Sequence, residues 1–136
     1  MALQYSVSLR NAKLDAVETT IGTSAVLKIR TGSPPADCAT ADSGTVLATL
    51  NLPSDWMAAA SGGVKAKSGT WQDADADDTG TAAHFRLYAS DGTTCHAQGT
   101  VTSVSVGTGD MLVENAAFVA GQQITVSTFQ ITSGNE

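Results

Sequence analysis

Two alternating segments meet at Ser90-Asp91-Gly92, and few folds can accommodate them. In the first, Ala83, Phe85, Leu87 and Ala89 share one face while His84, Arg86 and Tyr88 share the other. In the second, Cys95, Ala97, Gly99 and Val101 oppose His96, Gln98 and Thr100. A period of two means strands. A two-residue Asp91-Gly92 turn would set Leu87 against His96 and mismatch the faces. A three-residue loop with Gly92 left-handed pairs Leu87 with Cys95 and Phe85 with Ala97, so both apolar faces agree. This register predicts Cys95 pointing inward beside Leu87. It puts His84, Arg86 and His96 on an outward or inter-subunit face, with Arg86 opposite His96.

The rest of the chain reads in the same idiom. Ala25–Arg30 and Thr45–Leu52 alternate, the second with Val46, Ala48, Leu50 and Leu52 on one face. Thr31–Gly44, with Pro34-Pro35, is a long loop. Ser54-Asp55-Trp56-Met57 has the start of a short helical turn. Val64–Trp71 is a strand, with Lys65 and Lys67 opposed to Val64 and Ala66. Its parity breaks at Ser68-Gly69, which predicts a bulge. Met111–Val119 and Gln122–Thr132 form a last strand pair, with a second bulge near Ser127.

Ser6–Ile21 is the helix. Leu3, Val7, Leu14, Val17 and Ile21 make its apolar stripe, Ser6 or Ser8 caps it, and Gly22 stops it. That stripe fits the chain's own sheet or a neighbouring subunit. The expected fold is mainly β: a single antiparallel β-sandwich of immunoglobulin-like or jelly-roll type over 25–136, preceded by an N-terminal arm and helix over 1–24.

At 136 residues the chain is long enough for one core, and its 15% charged residues with a net charge of −6 disfavour a nucleic-acid partner. Thr, Ser and Gly crowd the remaining positions, which again favours strands and turns. No membrane partner and no secretory leader are expected, because Met1-Ala2-Leu3-Gln4 runs straight into a polar segment. Cys38 and Cys95 permit one disulfide without requiring it.

Asp73, Asp75, Asp77 and Asp78 offer alternate carboxylates of the kind Ca²⁺ takes. The EF-hand pattern fails, since the position that should hold glutamate is His84, so a solvated acidic loop is expected. His84 and His96 lack a third zinc ligand. Trp56 and Trp71 suit sugar stacking, but in a chain with 5% aromatics they read as core or interface anchors. No nucleophile elbow, phosphate loop or zincin motif occurs, so neither catalysis nor a cofactor is expected.

Several segments together resemble a family of small phage and prophage structural proteins. They are Leu14-Asp15-Ala16, Leu27-Lys28-Ile29-Arg30-Thr31-Gly32 and Pro34-Pro35-Ala36, with Asp42-Ser43-Gly44-Thr45-Val46-Leu47-Ala48 and Ala59-Ala60-Ser61-Gly62-Gly63-Val64. Later come Thr79-Gly80-Thr81-Ala82, His84-Phe85-Arg86, Gly99-Thr100-Val101 and Gly121-Gln122-Gln123-Ile124-Thr125-Val126. The resemblance implies a virion part assembled in the host cytoplasm: a capsid decoration (cement) protein binding the major capsid protein and copies of itself. A head-tail connector, tail or fibre component is the alternative. A carbohydrate- or calcium-binding module at a host surface is the competing class. The residues expected to make contacts are Leu14, Val17, Ile21, Trp56, Trp71, His84, Arg86 and His96.

Overall fold

Helix α1, Val7–Ile21, forms for local reasons. In the computed structural model, which describes residues 2–135, Ser6 Oγ accepts from Leu9 N at 3.1 Å, and Gly22 (φ +96°) closes the helix by donating to Glu18 O at 2.9 Å. Met1 and Glu136, the outer ends of the two expected regions, lie outside the described residues.

The strands are β1 Val26–Arg30, β2 Val46–Asn51, β3 Val64–Ala66, β4 Gln72–Asp73, β5 Gly80–Thr81 and β6 His84–Tyr88. They continue with β7 Cys95–Ser103, β8 Met111–Val113, β9 Ala117–Phe118 and β10 Ile124–Thr132. The main sheet runs β2-β1-β6-β7-β8-β10-β3, with β4 also on β10, while β5 and β9 pair separately. The protein is therefore mainly β with one helix. The sheet curls in a sandwich-like manner until its β2 edge reaches β4, where Thr49 N donates to Asp73 Oδ2 at 2.9 Å.

One pairing departs from the antiparallel expectation: β7 and β8 are parallel. A parallel neighbour ordinarily needs a longer crossover than residues 104–110 provide. Here the chain doubles back against β7 itself. Gly109 makes this possible, since a Cβ there would lie 2.6 Å from Thr102 N. Gly109 N and Thr100 N are satisfied by Thr102 Oγ1 and Asp110 Oδ2, both at 2.9 Å. The expected strand Met111–Val119 is divided, because β9 leaves the main sheet to pair with β5.

The bulge predicted near Ser127 occurs where parity required it. Ser127 is the extra residue between the Val126↔Val113 and Thr128↔Leu112 pairs, which lets Ile124, Val126 and Phe129 all be buried. The irregularity predicted at Ser68-Gly69 is not a bulge: Lys65 and Trp71 share a parity and are both buried while Ala66 is exposed, so the inward face is the opposite of the expected Val64 and Ala66 face. β3 and β4 both pair with β10, and the chain between them swings out through Gly69 (φ +70°) before Trp71 re-enters the core. A further bulge in β2 buries Leu47 as well as Ala48, Leu50 and Leu52, while Val46, expected on that face, is only half-buried.

The interior is strung on an aromatic chain, Trp56–Trp71–Phe129–Phe85, with ring centroids 5.9, 5.6 and 5.5 Å apart. Trp56 Nε1 donates to Gly22 O at 2.9 Å and Trp71 Nε1 to Trp56 O at 3.0 Å, so the helix end and the core are tied through indole N–H groups. The expected helical turn at Ser54–Met57 is instead a bend, after which Met57 bridges Lys67.

The helix docks on this chain, and its polar residues take part. Leu14 and Ile21 are buried and Val17 half-buried, whereas Val7 is exposed. Beside them Asn11, Asp15 and Glu18 form a second stripe that accepts from Gly63 N, Ala60 N and Met57 N at 2.9, 3.0 and 3.1 Å. Segment 57–63 is too irregular to pair these groups itself, and unpaired buried amides are costly. Lys65, expected to face solvent, is 1% exposed and sits 2.7 Å from Asp15 and 3.2 Å from Glu18. The Lys65 hydrogen bond holds the Asp15 carboxyl below its usual range. Burial opposes the Lys65 charge, but the two carboxylates prevail and raise its pKa.

Candidate functional site

The densest polar chemistry lies on the second face of β1, β6 and β7. Strand pairing aligns Lys28 with Arg86, Arg30 with His84, and Arg86 with Gln98. The inner face, with Leu27, Ile29, Phe85 and Leu87, belongs to the core. The outer face was expected to be open. Segment 31–45 covers it, so all of β6 is buried, His84 at 0% and Arg86 at 1% exposure.

Asp42 holds this cover down. Its carboxylate pairs with Arg86 Nη1, with Arg30 Nη2 at 3.0 Å, and accepts from the Tyr88 hydroxyl at 2.7 Å. Arg86 Nη2 donates to Asp37 O at 3.1 Å and Cys38 O at 3.0 Å, and Gln98 Nε2 to Pro35 O at 2.7 Å. His84 Nδ1 bonds Gly32 O at 2.7 Å. Gly44 (φ +72°) lets the cover lie flat, as a Cβ would stand 2.0 Å from Thr31 O.

Electrostatics follow from this geometry. Burial works against the Asp42 carboxylate, yet Tyr88, Arg86 and Arg30 outweigh it and keep its pKa low. Burial likewise opposes the Arg86 charge, and Asp42 more than restores it. Burial, then the nearby Asp42, push the Tyr88 hydroxyl up to about 12. Burial lowers the His84 pKa despite its bond to Gly32, and the Arg30 and Arg86 charges reinforce the shift, so the ring is neutral near pH 7. This arrangement immobilises the 31–45 segment against the sheet.

The hairpin register differs from the expectation. Leu87 pairs with Ala97, Phe85 with Gly99, Arg86 with Gln98 and Tyr88 with Cys95. The loop is longer because Asp91 Oδ1 accepts from Thr93 N and Thr94 N at 2.9 and 2.8 Å, and Ala89 N reaches Thr94 O. These bonds, led by Thr94, keep the Asp91 carboxyl well below its usual range. A bulge at His96 then restores parity. Cys95 consequently lies on the Tyr88 face beside Cys38, and Arg86 does not face His96.

The residues expected to make contacts separate accordingly. Leu14, Ile21, Trp56, Trp71, His84 and Arg86 are interior, with both tryptophans at 0% exposure, so they hold the fold and are closed to sugar. Val17 and exposed His96 meet at a shallow groove of about 270 Å³ that Lys13 and Thr20 also line. His84 and His96 are separated by burial and by the bulge.

The acidic loop is more than a solvated linker. Asp73 Oδ2 accepts from Thr49 N, Asp77 Oδ2 from Thr49 Oγ1 at 2.7 Å, and Asp77 N donates to Leu47 O at 2.8 Å. It thus seals the outer edge of β2 against a further strand. Asp75 and Asp78 are exposed, and no group of three His, Cys, Asp or Glu side chains able to hold a metal ion occurs among the described residues.

Sequence reasoning missed the Arg30–Asp42–Arg86–Tyr88 cluster. The available signal was the length of the 31–45 connection, since a long structureless loop inside a small domain generally has a role. What fold and site define is a mainly β, one-helix domain with a clamped polar face. Comparison of the chain with protein-family models, with curated proteins and with solved structures returned no match.

Proposed function

We propose that this protein is a bacteriophage virion structural component, a capsid decoration protein that binds the major capsid protein and its own copies. One observation carries the reading. Three of the segments on which the resemblance rests, Leu27–Gly32, Pro34–Ala36 and Asp42–Ala48, are the strands and cover joined by the Arg30–Asp42–Arg86 clamp. Part of the sequence likeness therefore coincides with the clamped strands and their cover.

Two further features support a passive, stabilising role. Charged side chains are spent on fixing loops, and the β2 edge is closed to uncontrolled strand addition. Leu3, Val7 and Leu9, at and before the start of α1, are each exposed and available to a neighbouring subunit. Many copies held by modest contacts of this size stabilise a shell collectively.

Mass spectrometry of purified virions tests the proposal. Abundance close to that of the major capsid protein is expected. A handful of copies per particle would move the protein to the neck, tail or fibre, and absence from virions would overturn the reading.

A further inference from the structure

The cover over the polar face brings two distant thiols together. Register places Cys95 opposite Tyr88, and Arg86, two residues back along β6 on the same face, holds Cys38 O at 3.0 Å. Gln98 anchors Pro35 of the same segment at 2.7 Å. Cys38 and Cys95 are thus neighbours where the cover meets β7, and both cysteines are unbonded and half-buried. Three contacts from the sheet to the backbone carbonyls of Pro35, Asp37 and Cys38 therefore hold the cover on the face that carries Cys95.

We propose that Cys38 and Cys95 are a cross-linking site, forming an intramolecular disulfide by exchange with a small disulfide of the glutathione type. Cys38 enters first. Its thiolate attacks one sulfur of the small disulfide, forming a mixed disulfide and expelling one thiol. Cys95 then loses its proton to solvent and attacks the Cys38 sulfur, expelling the second thiol. Two protein S–H groups and one small disulfide become one protein disulfide and two small thiols. The order follows from Cys95: its thiol donates to Ala97 O at 3.4 Å, and burial, with the neighbouring Cys38, pushes it up to about 11. The bond would fasten the cover to β7. For a virion part, made in a reducing cytoplasm and used outside it, the exchange would follow release; that last point rests on the proposed function, whereas the chemistry does not.

The test uses the purified full-length chain with oxidised glutathione, read by intact mass, thiol titration and thermal melting. Expected are loss of both titratable thiols, a mass decrease of two hydrogens, and a Tm higher by roughly 5–10 °C that dithiothreitol reverses. Cys95→Ser should stop at a single glutathione adduct on Cys38, and Cys38→Ser should react at least tenfold more slowly. Two stable adducts on one wild-type chain, a disulfide-linked dimer, an unreactive folded protein, or faster reaction of Cys38→Ser than of Cys95→Ser would each overturn the proposal.

Discussion

Asp42→Asn is the most informative single perturbation of this fold. It keeps the shape of the side chain but removes the charge that faces two arginines. The Arg86 and Arg30 side chains are 2% and 7% exposed, while Asp42 itself is 37% exposed. Stranding a fully buried charge costs about 3–5 kcal/mol. Water reaches Asp42 and screens part of the pair, so about 2–3 kcal/mol is the expected loss, a Tm decrease of about 8–10 °C for a chain of this size. The amide nitrogen would also face Arg30, donor against donor, and Tyr88 would lose its charged acceptor. Urea and thermal unfolding measure the loss. Combining Asp42→Asn with Arg86→Met removes both charges and should recover about 1–3 kcal/mol relative to additivity. A single-mutant loss below about 0.5 kcal/mol, typical of open surface positions, would refute the claim that Asp42 holds the cover.

Acid should unfold the protein in a defined order. His84 has a lowered pKa in the fold, so its contribution is full above about pH 6.5 and is lost as pH falls through the folded value. Asp15, Asp37, Asp42 and Asp91 are lowered as well, so theirs is full above about pH 4 and disappears at more acid pH. A circular-dichroism titration checks this, and Asp42→Asn should flatten the lower limb. Tryptophan emission should be blue-shifted and resist iodide until unfolding, and Trp71→Ala should cost about 3–5 kcal/mol. Gly109→Ala should cost about 1–3 kcal/mol in urea melts, because the added methyl meets β7 backbone. Ca²⁺ or EDTA should leave the Tm unchanged, since Asp73 and Asp77 already bond to β2.

The sequence contained most of the local structure. The caps Ser6 and Gly22 bound the helix, alternation located β1, β2, β6 and β7, and broken parity marked the Ser127 bulge. These signals are legible because each depends on residues a few positions apart. The functional face was not legible in the same way. His84, Arg86 and Tyr88 alternate with Phe85 and Leu87 as they would on an open sheet, and periodicity reports polarity without reporting what lies above it. Asp42, the partner of Arg86 and Tyr88, is 44 residues from Arg86. Lys65 finds Asp15 50 residues away. The Asp91 contacts and the His96 bulge, each a small departure from ideal geometry, shifted the hairpin register and turned Cys95 toward Cys38. Alternation and capping thus specified which residues become strands and helix. Only tertiary packing decided which polar face is buried, because burying charge is favourable only once a distant opposite charge has been brought into contact.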